Sequence, residues 1–394
     1  MEILYLTTVL PGKIPGGGEI ATKNFISAFE MDGHSVRLLG FCRENDNHQG
    51  QCVEERRFVS AANKIQTAGW LLQSVFMNTS YGMRKFYSNK YAEHVLDHLS
   101  TNKIGCVVIE HSQLSWMSRL IKNNYPRIPL IFNSQNVEFD MYSRLACQAK
   151  GNDAIKKILF SRESVKLFHE EISLIKDSRQ VWCLTKNDCE LYKKHVPDKE
   201  YRVFNIPGSM SLQPRNEQST LTRHYDVSII GSWTWMPNAI GLRWFVQHVL
   251  PYLPDKVSVS VAGAGAEDIL RDVRRVNYVG RVESSYEFLR RSRVIVIPSM
   301  EGGGIQIKTL DAIAMGLPVV ATSVACRGLD NLPQHIKVTD DPAMFANYIV
   351  QYLVSNSVFD CQKSINWYAN RVTEFNKQVS EAISSIDEGS TIEN

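Results

Sequence analysis

The 394-residue chain lacks long apolar runs, and no stretch approaches the ~20 consecutive apolar residues of a membrane-spanning helix. It also lacks a basic leader followed by an apolar segment. Met1 leads directly into the strand-like Ile3-Leu4-Tyr5-Leu6, so no secretory signal peptide is expected. The eight cysteines never fall in Cys-x-x-Cys spacing, which argues against a zinc site or a disulfide framework and for reduced thiols in the cytoplasm. A strong excess of either charge is missing too: 44 Lys and Arg against 41 Asp and Glu leave +3, and no case for nucleic acid as a partner. What remains is ordinary globular composition, 44% hydrophobic and 22% charged, at a length that suits two cores.

The most informative stretch runs from Val294 to Asp330. Val294 to Ile297 is a short β-branched run, the pattern of a buried parallel strand. Gly302, Gly303 and Gly304 follow. Apolar Ile307, Leu310, Ile313 and Ala314 then recur at helical spacing, with Gly316 as a stop and Pro318 just beyond. Val319 to Ala321 is the next strand. Three glycines ahead of a helix let backbone N–H groups come close to a ligand, and the helix dipole favours an anion there. Lys308 and Asp311 are helix-surface neighbours. The cation suits a phosphate and the acid a sugar hydroxyl, although a tight turn beside a solvated charge pair would leave the same trace. The spacing is neither Gly-x-Gly-x-x-Gly nor a P-loop, which needs Gly-Lys-Ser/Thr.

The segment Glu301-Gly-Gly-Gly-Ile-Gln-Ile-Lys-Thr-Leu-Asp311, continued by Ala-Ile-Ala-Met-Gly-Leu-Pro-Val-Val-Ala-Thr322, resembles the donor-site segment of the family 4 glycosyltransferases. The likeness is to a subgroup with Gly-Gly-Gly-Ile-x-x-Lys before the helix acid. It implies a retaining enzyme that uses a nucleotide-activated sugar. It also implies the α/β GT-B fold: two Rossmann-like domains whose parallel sheets face an interdomain cleft.

The rest of the chain fits two successive strand–helix arrays. After the first strand, Gly16-Gly17-Gly18 precedes a helix from Ile20 to about Asp32, and Val36 to Leu39 is the second strand. Residues 43–66 read as a polar surface excursion. Leu71 to Leu99 reads as helical, interrupted at Ser80 to Gly82. Cys106 to Ile109 is a buried strand with Glu110 and His111 at its C-terminal end, where ligands gather in open parallel sheets. Leu130 to Phe132 is the next strand, and the Asn136-Val-Glu138 that follows resembles the corresponding family segment. Residues 206–224, rich in Pro, Gly and small polar residues, are the linker. The expected domains are 1–205 and 225–367. By resemblance, a final helix at about 368–388 completes the first.

Residues and resemblance together give a candidate site. Donor contacts are expected from Gly17, Gly18, Gly231, Arg281, Gly302, Gly303, Gly304, Ile305, Lys308 and Asp311, and acceptor contacts from Asn136 and Glu138. Glu301 and His111 take catalytic places. Two departures from the family stand out. Family members place two acids eight positions apart, whereas here position 303 is glycine and Glu301 lies ten before Asp311. Family members also carry Arg and Lys after the first strand of the second domain, whereas Gly231 to Asn238 has no base. Lys308 is the best replacement phosphate binder, with Arg281 and Arg327 as others. His111 has a structural alternative as a hydrogen-bonded loop residue, and Trp233 and Trp235 have packing as theirs. No Asp-x-Asp occurs, which removes the metal–diphosphate site of the other large glycosyltransferase fold, so neither metal nor cofactor is expected.

The resulting expectation is metal-independent transfer of a hexose from a nucleoside diphosphate, UDP first and GDP next. The acceptor would be a glycan or lipid-linked molecule in bacterial surface polysaccharide assembly. The place would be the cytoplasm or, peripherally, the inner face of the membrane. From Arg144 to Lys166 six Lys/Arg face two acids, which offers either an anionic-membrane contact or a solvated helix face. The rivals are a phosphorylase or epimerase on the same fold, and a degenerate paralogue that binds nucleotide sugar or glycan without turnover.

Overall fold

The computed structural model describes residues 1–12, 16–43, 52–55, 64–148, 154–209, 224–355 and 361–392. The chain divides into two compact units, Met1–Ile206 with Glu374–Asn394, and Pro207–Thr373.

In the first unit, β1 (Glu2–Val9), α1 (Gly17–Met31), β2 (Ser35–Cys42) and β3 (Cys52–Glu55) are followed by α2 (Lys64–Phe76), α3 (Tyr81–Phe86) and α4 (Asn89–Thr101). Then come β4 (Ile104–Glu110), α5 (Trp116–Asn124), β5 (Leu130–Ser134), α6 (Glu138–Gln148), α7 (Ala154–Asp177), β6 (Gln180–Cys183), α8 (Lys186–Lys193) and β7 (Glu200–Val203). The strands form one parallel sheet in the order β3-β2-β1-β4-β5-β6-β7. Helices cover both faces, so the inner strands are apolar without alternation: Ile3 to Leu6 and Cys106 to Ile109 are fully buried. Strand order reverses between β1 and β4, which places the topological switch at the C-terminal ends of those two strands.

Two local expectations change. The region read as an excursion contains β3 and the start of α2. β3 is a four-residue edge strand carrying Glu54 and Glu55, and charge on an edge hides a strand from a hydrophobicity reading. The segment read as one interrupted helix is three, because Ser80 and Ser88 each start a new one by accepting from the amides of Met83 (3.0 Å) and Tyr91 (3.3 Å). The expectation of reduced thiols also fails at one position, since Cys42 is disulfide-bonded.

The second unit holds β8 (Tyr225–Ile230), α9 (Met236–Trp244), β9 (Val259–Ala262), α10 (Glu267–Leu270), β10 (Val276–Gly280), α11 (Ser285–Arg290), β11 (Ser292–Ile297), α12 (Ile307–Ala314), β12 (Val319–Ala321), β13 (Ile336–Val338) and α13 (Pro342–Val354). Its sheet is parallel throughout, in the order β10-β9-β8-β11-β12-β13, and its switch lies between β8 and β11. Val227, Ile229, Val259, Val261, Val294 and Val296 alternate into one core face with Leu242, Phe245 and Phe345.

The last helix, α14 (Cys361–Ile392), runs through the division between the units. From Glu374 onward it belongs to the first unit. Phe375 packs edge-on to Phe25 with ring centroids 5.1 Å apart, and Phe25 in turn stacks on Trp182 at 5.5 Å. Val379, Ala382, Ile383 and Ile386 are buried along the same side. The Gln378 side chain accepts from the Asn205 amide at 2.8 Å.

Candidate functional site

In the second unit β11 ends at Ile297, and the chain crosses Ser299 and Glu301 into Gly302, Gly303 and Gly304 before α12 begins. Gly302 and Gly304 have φ of 138° and 60°, conformations that only glycine adopts without strain. The loop is thus a shaped backbone surface at the sheet switch and at the N-terminus of an eight-residue helix. Arg327 donates to the Gly302 carbonyl at 3.3 Å and so braces its far side. Lys308 projects from the first turn of α12 to Asn238 Oδ1 at 3.2 Å, and Asn238 Nδ2 donates to the Ser232 carbonyl at 3.1 Å. The basic group missing from the Gly231–Asn238 turn is therefore delivered to that turn from another element. Burial brings the Lys308 pKa down to about 8.

Asp311 lies one turn on. Its two carboxylate oxygens accept from the Ser209 amide (2.6 Å) and hydroxyl (2.7 Å). A Cβ on the preceding Gly208 would sit 2.3 Å from Asp311 Oδ1, so a larger residue there would have to push the carboxylate off Ser209. The helix acid thus holds Ser209. Arg281 is exposed at the end of β10. Trp233 is buried and donates to the Ala262 carbonyl at 2.9 Å, which is a packing role, whereas Trp235 stays about half exposed.

In the first unit the switch is built around Glu110, a carboxylate with no exposure at the end of β4. Tyr5 donates to its Oε1 at 2.6 Å and Gln135 at 2.8 Å; Thr7 and Thr22 each donate to its Oε2 at 2.7 Å. Gln135 Nε2 also donates to the Gly18 carbonyl at 3.0 Å, and the Thr22 hydroxyl, whose one proton is shared with Glu110, lies 3.1 Å from that carbonyl. One carboxylate thus ties β1, α1, the glycine turn and the segment after β5 into one rigid floor. His111 rises from it with φ 70° and ψ 141°, a strained setting for a non-glycine residue. Its Nε2 lies 3.8 Å from Glu110 Oε2, and burial lowers its pKa although the carboxylate pulls the other way. Next to it, Ser112 Oγ is buried without a hydrogen-bond partner among the described residues.

The first-unit cluster therefore joins Gly18 and His111 and brings Asn136 to the adjacent strand end. Glu138 is hydrogen-bonded to Asn136. It opens α6 beside α7, where burial raises its pKa to about 7, bonding to Asn136 lowers it and nearby Glu163 raises it. Sequence reasoning gave no role to Glu110, Gln135, Asn238 or Ser209. For Glu110 the signal was present: an acid closing an otherwise apolar buried strand must find partners.

Comparison with known proteins bears on this geometry. Residues 225–355 match the family model described as glycosyl transferases group 1. That match lies within the second unit. The loop, Lys308 and Asp311 all lie inside that glycosyltransferase match. A Klebsiella pneumoniae relative, an uncharacterized 44.6 kDa protein in the cps region, is 23% identical over 383 residues, covering 89% of this chain and 90% of that one. Two solved structures are similar over the whole chain. Sucrose-phosphate synthase from Thermosynechococcus elongatus has a TM-score of 0.67 at 15% identity and 100% coverage of both chains. WaaG, a glycosyltransferase involved in lipopolysaccharide biosynthesis, has 0.61 at 16%, covering 98% of this chain and 99% of that one. At such identities these likenesses establish the fold, which is GT-B.

Proposed function

We propose that the protein is a retaining glycosyltransferase that moves a sugar from a nucleoside diphosphate to a glycan or lipid-linked acceptor in bacterial surface polysaccharide assembly. The observation that carries this is the Lys308–Asn238 contact. It puts an ammonium beside a glycine loop and a helix N-terminus at the sheet switch, the surroundings a diphosphate needs. The cps-region relative and the likeness to a lipopolysaccharide enzyme support the setting.

In the proposed reaction the bond from the sugar's anomeric carbon to the diphosphate oxygen breaks. The bond to the acceptor hydroxyl oxygen forms on the same face, and the acceptor proton passes to the departing phosphate oxygen. The protein contributes position and charge rather than a covalent nucleophile. The Gly302–Gly304 amides and Lys308 hold the diphosphate, and Arg281, Gly231 and Ile305 line the nucleotide. Asp311 exchanges Ser209 for ribose hydroxyls. Glu301 addresses the transferred sugar, and Gly17, Gly18, His111, Asn136 and Glu138 serve the first-unit side. UDP is the first nucleotide to test.

A thermal-shift panel of UDP, GDP, ADP and CMP followed by donor hydrolysis without acceptor tests the reading. Stabilisation by one diphosphate with slow hydrolysis of its sugar is the expected result. Stabilisation with no hydrolysis by any matching donor would favour a binding protein, and no stabilisation by any nucleotide would sink the donor site.

A further inference from the structure

The turn after β8 departs from a local preference. Trp235 occupies the N-cap of α9, a position where Ser, Thr, Asp or Asn would bond the first free amides of the helix. The indole makes no such bond. It is 48% exposed, and the neighbouring Met236 is exposed as well. Chains give up local preferences chiefly at functional sites. The exposure is not slack in the turn. Trp233 is buried beneath it, and a Cβ on Gly231 would meet the Trp233 ring at 3.0 Å. The loop after β9 is stripped of side chains to admit the turn. Gly263 and Gly265 have φ of 108° and 89°; a Cβ on Gly263 would lie 1.7 Å from the Gly231 carbonyl oxygen, and one on Gly265 2.7 Å from Thr234 Cγ2. The Trp235 amide donates to the Ser232 carbonyl at 3.3 Å, the same carbonyl that Asn238 holds. The exposed hydroxyls of Ser232 and Thr234 are 3.1 Å apart. A braced turn thus holds out an aromatic face with two hydroxyls beside it, and no charged residue occurs from Gly231 to Leu242.

Its place decides what it meets. Asn238 follows Trp235 by three residues, the spacing of helix-surface neighbours, and Asn238 receives Lys308. A donor diphosphate held by Lys308 carries two groups. The ribose belongs to Asp311, on α12, and the sugar is left for the side of α9. We propose that Trp235 is the platform on which the transferred sugar of the donor stacks. The C–H face of a neutral pyranose covers the indole, and Ser232 and Thr234 offer hydrogen bonds to its hydroxyls. An apolar face flanked by a few polar groups is the usual make-up of a small-ligand site. The nucleotide base is the weaker occupant, because it lies beyond the ribose. The inference deepens the donor-site reading and rests on it.

Calorimetry on the full chain compares UDP and GDP with UDP-glucose, UDP-galactose and GDP-mannose, for the wild type, Trp235→Ser and Trp235→Phe. The wild type is expected to bind at least one conjugate about fivefold or more tighter than its parent nucleotide. Trp235→Ser is expected to erase that preference and to bind the parent within about twofold of wild type. It is expected to melt no lower than wild type, because serine supplies the missing cap. Trp235→Phe keeps an aromatic face and is expected to retain most of the preference. A wild type that favours no conjugate overturns the inference, as does a Trp235→Ser variant with the wild-type preference. Equal losses for parent and conjugate overturn it too, since the indole would then meet the base or the diphosphate. A lower melting temperature for Trp235→Ser would make the indole a packing residue and has the same force. Failure of UDP and GDP to bind at all would instead remove the donor site, and this inference with it.

Discussion

Lys308 gives the most direct test of the donor site. Its amine lies 3.2 Å from Asn238 Oδ1, and burial sets its pKa at about 8, inside the range of ordinary assays. If only the ammonium grips a diphosphate, the apparent Kd scales as one plus the ratio of neutral to charged amine. That factor is about 1.1 at pH 7 and about 11 at pH 9, so affinity falls roughly tenfold. The last ionisation of a phosphate lies near pH 6, so UDP itself changes little over this span. The stability of the free protein moves the other way. The folded pKa lies below the ordinary 10.5, so the unfolded chain binds the proton more tightly and stability rises with pH from about 8 to about 10.5. Isothermal titration with UDP at pH 7, 8 and 9 and fixed ionic strength reads the first effect. Lys308→Met should be weaker at pH 7 by about 1.5–3 kcal/mol, the size of a charge-assisted contact, and flat with pH. A wild-type affinity that does not change between pH 7 and 9, or a Lys308→Met variant that binds as well as wild type, would refute the reasoning.

Ser209→Ala and Asp311→Asn should shift donor affinity in opposite directions by about 1 kcal/mol each, one freeing the helix acid and the other neutralising it; calorimetry decides, and shifts of the same sign would mean that Asp311 only anchors the linker. Glu110→Ala takes the acceptor from Tyr5 and Thr7 in the core, Thr22 and Gln135 keeping the Gly18 carbonyl, and should lower unfolding free energy by about 2 kcal/mol or more in urea titration, with Glu110→Gln milder. His111→Gly relieves a φ of 70° and should raise stability by about 1 kcal/mol while lowering turnover; a variant both less stable and fully active would deny His111 a working role. Glu138 and Glu170 have folded pKa values raised to about 7, chiefly by burial, so their contribution to stability is present at low pH and lost as pH climbs from about 4.5 to about 7. A Glu138→Gln/Glu170→Gln variant should flatten melting temperature against pH across that window.

Much of this architecture is legible in the residues. Buried parallel strands such as Val294 to Ile297 announce themselves, because both faces are covered and alternation disappears. The Gly302–Gly304 turn and the Gly316 stop are legible because they need conformations other residues avoid. β3 was not legible, since four partly charged residues on an edge carry no hydrophobic period. The partners of site residues were hidden for another reason. Asn238 and Lys308 are 70 positions apart and Ser209 and Asp311 are 102, and only the strand order of the folded sheet brings such groups together.

The ring cluster around Phe25 has a consequence for how the chain is made. Phe25, Trp182 and Phe204 leave the ribosome with the first sheet, but Phe375, which closes over Phe25, is encoded after the whole second unit. At ordinary elongation rates residues 207–373 take roughly ten to thirty seconds to synthesise. For that interval the earlier-made unit waits with an aromatic face uncovered, a target for chaperones and for aggregation. Loss of the final helix from Glu374 onward would therefore damage the part of the protein made first, and leave the second unit its own residues to fold with.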